Sequence, residues 1–329
     1  VTLLRTARRR TVAALAGVLL GLAATSGCGL ATAGGNVPDA TLAGPLADLD
    51  LSGLEGAQIS VGSKNFNENV LLGKMTLILL KAAGADVTDL TNIPGSAAAR
   101  QAHLQGDIDA MWEYTGTGWL QYLQQPKPIR GEEEQYEAVK EMDLQENDLA
   151  WLPPAPMNNT YAFAITQASA EEYGITKLSQ INQVPVGERT FCIEGEFRNR
   201  SDGMPGMIKT YGLEVPNQNL QTYQTGAIYD ATAKGECTFG EVFTTDGRIK
   251  ALDLVVLEDD KQYFPNYNVS LVVREPVEAE YPQIEELMAP VTEKLTDDVL
   301  KDLNARIDVD GQEAAQVADE WLREEGFIS

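Results

Sequence analysis

The chain has 329 residues, 43% hydrophobic and 22% charged, a balance that suits one or two globular domains with a sizeable core. Its 25 basic and 49 acidic residues leave a net charge of -24, so nucleic acid is not an expected partner, because phosphate binding depends on clustered Lys and Arg. A single histidine, His103, argues against His-based triads and multi-histidine metal sites, and neither a metal-ligand set nor a cofactor-binding glycine loop is visible.

Arg5, Arg8, Arg9 and Arg10 precede an apolar run from Val12 to Ala24, which ends in Thr25, Ser26, Gly27 and Cys28. This reads as a signal peptide over residues 1–27. The small residues before the cysteine resemble the lipobox of bacterial lipoproteins, in which Cys28 would carry the lipid. Thr25 stands where leucine is usual, and an ordinary secretory signal with an incidental cysteine is the alternative. Residues 28–56, rich in Gly, Ala, Leu and Pro without a clear period, are expected to form the lipidated cysteine and a flexible tether. No later stretch reaches the roughly 18 apolar residues of a membrane span, so membrane contact is expected only through the N-terminus.

The folded part opens with a strand from Gln58 to Gly62, a polar loop holding Lys64, and a helix through Val70, Leu71, Met75, Ile78 and Leu79. Lys64, at a strand end beside a helix N-terminus, is placed either to meet a carboxylate or to be solvated. Asp86–Ile93 is the next strand. Ser96 is the expected N-cap of an alanine-rich helix and Gly106 its stop. Ile108, Ala110, Trp112 and Tyr114 then alternate along a strand that runs out into Thr115, Gly116, Thr117 and Gly118, small residues that permit close approach.

A charged, exposed helix is expected over 131–148, and the proline-rich stretch 151–159 reads as a passage into a second lobe, with Tyr161 at the hinge and a strand from Tyr161 to Thr166. There follow a helix near Leu178, a strand from Thr190 to Ile193, the loop GEFRNRSDG, and a helix near Met207 to Tyr211. Arg200 in that loop either grips a ligand carboxylate through two parallel hydrogen bonds or pairs with Asp202 or Glu196 to brace the loop. A strand from Leu254 to Leu257, a loop carrying Tyr263, Phe264 and Tyr267, and a strand from Val269 to Val273 lead to helices over 278–288, 292–304 and 312–325, which are expected to pack back on the first lobe. The expected division is 57–158 with 268–329 as one discontinuous lobe and 159–267 as the other.

One device occurs twice. With Gly106 set on Gly235, LQGDIDAMWEYTGTG aligns with AKGECTFGEVFTTDG without a gap, and Tyr114 meets Phe243. A repeated helix, tight turn and strand, each ending in a ring followed by a threonine, predicts two similar lobes facing one ligand at their strand ends. Cys237 falls in the strand of the second copy and Cys192 in the strand-like RTFCIE; an exported chain would allow a disulfide between them, but two buried thiols fit the sequence equally.

Tyr114, Tyr161, Phe243 and Tyr267 all fall at strand ends or lobe crossings. Rings arranged as a cage suit a quaternary ammonium, which has no N–H to donate and is held by π faces, at about 0.5–2 kcal/mol per ring. Taken singly, each ring is better explained by core packing. VGSKNFNEN at 61–69, EYTGT at 113–117, RSDG at 200–203 and the stretch from TTDGR to LEDD at 244–260 resemble the substrate-binding proteins of osmoprotectant ABC importers, the glycine betaine, carnitine and choline binders. The resemblance runs from residue 58 to the C-terminus. It implies an α/β fold of the type II periplasmic-binding-protein kind, with two lobes around a ligand cleft.

It also implies an extracytoplasmic lipoprotein, neither an enzyme nor dependent on a cofactor or metal, that delivers its ligand to the permease subunits. The ammonium cage would be Tyr114, Tyr161, Phe243 and Tyr267, and the carboxylate site Lys64, Thr117 and Arg200. Phe243 stands where tyrosine is usual in such proteins, and Asn159 replaces an acid beside the box. Two cations at the site favour glycine betaine over choline, which has no carboxylate to pair with them. The alternatives are a receptor for choline, carnitine or another small polar or aromatic solute, and, further off, an enzyme on the same scaffold.

Overall fold

The computed structural model describes residues 37–329; the signal peptide, Cys28 and the start of the expected tether lie outside them. Residues 37–56 are not a tether. Thr41 and Ser329 exchange backbone hydrogen bonds of 3.2 and 2.9 Å, and Leu46, Leu51 and Leu54 are buried in the core beside Phe327 and Ile328. The leucines sit on short 3-10 turns, Gly44–Leu46 and Ser52–Leu54, a geometry that leaves no helical or strand period to read.

The chain then builds two five-stranded sheets. The first begins with β1 (Gln58–Lys64), α1 (Asn67–Ala82), β2 (Asp86–Ile93), α2 (Ser96–Gln105) and β3 (Ala110–Tyr114), followed by α3 (Glu132–Asn147) and the short β4 (Leu149–Trp151). Ser96 is the first helical residue of α2 rather than its cap; Gly95 holds the cap position. α3 shows its acidic run Glu132–Glu134 to solvent but buries Gln135 and Asp143, the latter paired with Arg100, so it is exposed on one face only.

The second sheet takes β5 (Tyr161–Thr166), β6 (Phe191–Glu194), β7 (Leu220–Tyr223), β8 (Phe239–Phe243) and β9 (Leu254–Val256). Between β6 and β7 the expected loop is partly helical, as α4 (Gly195–Asn199), and is followed by α5 (Met204–Tyr211); α6 (Thr225–Ala233) precedes β8. The chain returns through β10 (Val269–Arg274), and β10 joins the first sheet. A short helix, Glu275–Glu280, is cut from α7 (Gln283–Thr292) at Tyr281 and Pro282, where a single helix from 278 was expected; proline supplies no N–H to carry a helix through. α8 (Asp297–Asp308) and α9 (Ala314–Glu324) complete the chain.

The strand orders are β2-β1-β3-β10-β4 and β7-β6-β8-β5-β9, the same plan twice, with parallel neighbours at one end and an antiparallel strand entering fourth. α1 is apolar on nearly every face because it is enclosed. The first sheet covers one side of it, and Leu287, Leu300, Leu303 and Trp321 of the C-terminal helices cover the other. The second sheet has its own core around Phe163, Phe191, Phe197 and Phe239. The two crossings run side by side and are bonded to each other, with Asn158 bridging Asn268 and the Tyr267 N–H donating to Asn158 Oδ1 at 2.8 Å.

Candidate functional site

The repeated device is present in register. Gly106 and Gly235 turn the chain with φ of 77° and 74°, and the strands that follow, β3 and β8, begin and end at aligned residues. Four parallel strands, β1, β3, β6 and β8, therefore end at Lys64, Tyr114, Glu194 and Phe243, and all four terminal residues line one cavity of about 270 Å3 between the sheets. Carboxyl ends of parallel strands are where α/β sheets hold ligands.

All eight residues singled out for this site lie on that cavity: Lys64, Tyr114, Thr117, Asn159, Tyr161, Arg200, Phe243 and Tyr267. Tyr161 and Phe243 face each other across the β5–β8 ladder with ring centroids 5.1 Å apart, and Tyr267 meets Tyr161 edge-on at 5.3 Å. A fifth ring, not singled out from the sequence, completes the wall: Phe66 stacks on Phe243 at 5.7 Å and tilts against Tyr114 at 5.8 Å. Its signal was its place in SKNF, just after the end of β1 and at the cap of α1, where a strand end opens on the cleft. Gly116 is needed where it stands. A Cβ there would lie 2.7 Å from the Tyr267 ring and from the Asn266 carbonyl.

Both expected cations are buried and both have protein partners. Lys64, the last residue of β1 rather than a loop residue, pairs with Glu113, and its ammonium lies 5.1 Å from the Tyr114 ring centre. Arg200 donates to Asp202 through Nε and Nη2 at 2.9 and 2.6 Å, to Thr117 Oγ1 at 3.3 Å and to Glu196 at 3.0 Å, while covering the Tyr161 ring at 5.4 Å. Asp202 also accepts the Tyr267 hydroxyl, at 2.5 Å. The bracing role for Arg200 is thus realised, and it brings Thr117, just after β3, and Tyr267, just before β10, onto the loop after β6.

Acids on the cavity were not anticipated. Glu194, Glu196 and Glu241 line it from the second lobe. Glu241 accepts the Glu194 N–H at 2.7 Å through one oxygen, while its other oxygen has no protein partner. Burial, reinforced by the charges of Glu194 and Glu196, pushes its carboxyl up to about 8.

Asn159 does not leave the box without an acid. It donates at 2.7 Å to Glu68, a buried carboxylate of α1 that also accepts the Tyr114 hydroxyl at 2.8 Å, Thr245 at 2.6 Å and Asn304 at 2.9 Å. Burial raises the Glu68 carboxyl and these donors oppose it. A carboxyl group, held above its usual range by burial against these donors, therefore lies directly behind Tyr114, reached from α1 instead of from position 159.

Cys192 and Cys237 form a disulfide, with Cα atoms 5.6 Å apart; Cys237 lies just before β8, not within it. His103 is a core residue. Its Nε2 is 3.3 Å from the Asp109 carbonyl, and burial lowers its pKa to about 4. Among the described residues no cluster of His, Cys, Asp or Glu is arranged to hold a metal, and no helix is long and apolar enough to cross a membrane.

Residues 57–324 match the family described as the substrate binding domain of ABC-type glycine betaine transport systems. The chain is 37% identical over 291 residues to a glycine-betaine-binding protein of Pseudomonas aeruginosa, covering 86% of this chain and 93% of that one. It is 32% identical over 290 residues to the glycine betaine-binding protein YehZ of Escherichia coli, covering 86% and 95%. The crystal structure of a glycine betaine/carnitine/choline ABC transporter superposes with a TM-score of 0.67 at 26% identity, over 81% of this chain and 98% of that one. The two-lobed architecture is that of the type II periplasmic-binding-protein fold.

Proposed function

The chain belongs to the family of substrate-binding domains of ABC-type glycine betaine transport systems, and from that premise we propose that it takes a quaternary ammonium osmoprotectant, glycine betaine first, between its lobes and hands it to the permease. The family is one of transport receptors, not enzymes, and receptors of ABC importers work outside the cytoplasm. The observation that carries the reading is the convergence on one cavity of five rings with Lys64, Thr117 and Arg200. Tyr114, Tyr161, Phe243 and Tyr267, joined by Phe66, would surround the trimethylammonium group, and Glu68 behind Tyr114 would favour its charge. Residues 57–158 with 268–329 would move as one lobe and 159–267 as the other, hinged at the paired crossings. Anchoring through a lipid on Cys28 rests on the sequence pattern before it.

Choline is the second reading, favoured by one observation: Lys64 and Arg200 already have protein carboxylates. Isothermal titration with glycine betaine and with choline separates the two. Arg200→Ala should weaken glycine betaine about tenfold more than choline, because the carboxylate loses a charge-assisted hydrogen bond that choline never makes. Equal losses would remove Arg200 from the carboxylate site, and no heat with either ligand would point to another small solute.

A further inference from the structure

The anion side of the cavity holds a carboxylate of the protein itself. Glu196, on α4 of the second lobe, reaches across to the first. Its Oε2 accepts the backbone N–H of Ser96, at the start of α2, at 3.1 Å, and its Oε1 accepts Arg200 Nη1 at 3.0 Å. Burial pushes the Glu196 carboxyl up, but the charges of Lys64 and Arg200 and the bond from Ser96 outweigh it and hold the group below the usual carboxylate range. A carboxylate is therefore favoured at this spot, between the two cations and a helix N-terminus.

The three acids bonded to the two cations are not equivalent. Glu113 and Asp202 have side chains 4% and 3% exposed, whereas that of Glu196 is 32% exposed. Arg200 commits Nε and both N–H groups of Nη2 to Asp202 and Thr117, so Nη1 is the nitrogen that an incoming carboxylate would need, and Glu196 takes one of its two N–H groups. Two carboxylates on the same donors repel each other, and the more exposed one is the one able to swing away.

We propose that Glu196 is a specificity-determining residue that competes with the carboxylate of a zwitterionic ligand for Arg200 Nη1 and the Ser96 N–H, so that a betaine must displace it whereas a quaternary ammonium alcohol leaves it in place. This rests on the reading of the cavity as a quaternary ammonium site. Glu196 then sets how far the cavity prefers one class over the other. It lowers the affinity for betaines and adds negative charge that favours a ligand with net positive charge.

The test is titration calorimetry of the purified full chain, as wild type, Glu196→Gln and Glu196→Ala, with glycine betaine and with choline, each variant first checked for a cooperative thermal transition. Both variants should bind glycine betaine more tightly, by about tenfold for alanine and less for glutamine, which keeps the shape but not the charge. Choline should be unchanged or weaker, so the preference moves toward the betaine. A residue that only ties the lobes together would give a parallel loss for both ligands, and that result overturns the proposal, as does an unaltered betaine affinity. Failure of the wild type to bind either ligand overturns the underlying reading and this one with it, whereas wild-type binding with an unmoved preference overturns this one alone.

Discussion

Glu241 is 3% exposed, at the back of the cavity, and the alternation that turns Phe243 toward the cleft turns Glu241 the same way. That periodicity was readable in FGEVF, but nothing in the local sequence marked the glutamate as buried among other acids, because Glu194 and Glu196 arrive from a strand end some 45 residues earlier in the chain. Its carboxyl titrates near 4.5 in an unfolded chain and near 8 in the folded one. Between these values the folded state holds a proton that the unfolded state has lost, so stability falls as pH rises, by at most about 1.4 kcal/mol per unit, and levels off above the folded value. Glu241→Gln keeps the bond from the Glu194 N–H and removes the titration. Urea unfolding of this variant should show a flatter dependence between about pH 5 and pH 8 and greater stability than wild type at the upper end.

At the scale of elements, the disulfide ties β6 to the turn before β8, across 45 residues that contain α4, α5, β7 and α6. Closing a loop of that length restricts the unfolded chain, and replacing both cysteines by serine should lower the unfolding free energy by about 4 kcal/mol in denaturant titrations under non-reducing conditions. The pairing was open in the sequence because the distance between two cysteines depends on how β6 and β8 register, and Phe191 opposite Phe239 is a tertiary fact. Elements with strong local chemistry were legible: β2 and β5 have the expected bounds, and the helix stop at Gly106 stands where its sequence puts it. The break at Pro282 was also legible locally, because proline supplies no N–H to carry a helix from Glu278 through it.

At the scale of the molecule, the two lobes meet beyond the cavity as well as around it. Gly247, after β8, lies against α8, where a Cβ would come within 2.5 Å of the Ala305 Cβ and 2.6 Å of its Cα. Arg248 beside it bonds Asp246 at 2.5 Å and reaches Asp308 of α8 at 3.5 Å. A clash with backbone atoms has no rotamer to relieve it, so Gly247→Ala should hold the lobes apart. The fraction of molecules able to bind then falls, and with it the apparent affinity for glycine betaine and choline alike, by about tenfold in each case. Calorimetry reads that loss, and small-angle scattering should show a larger radius of gyration with ligand than for wild type. Unchanged binding would mean that this contact is not needed for the lobes to meet around the ligand.

The sequence alone determined the features that depend on short range: the place of the four expected rings at strand ends or lobe crossings, and the repeated turn and strand. Each is set by periodicity, turn chemistry or motif order within a few residues. The tertiary structure alone decided which charges face which. Glu68 behind Tyr114, Glu113 on Lys64, Glu196 on Ser96 and the isolated oxygen of Glu241 all join residues tens of positions apart or on different lobes. The packed leucines of 37–56 belong with them, since only the closing backbone pair with Ser329 gives those residues a core to enter. Electrostatic and packing partners are chosen by proximity in space, and a linear pattern records proximity only along the chain.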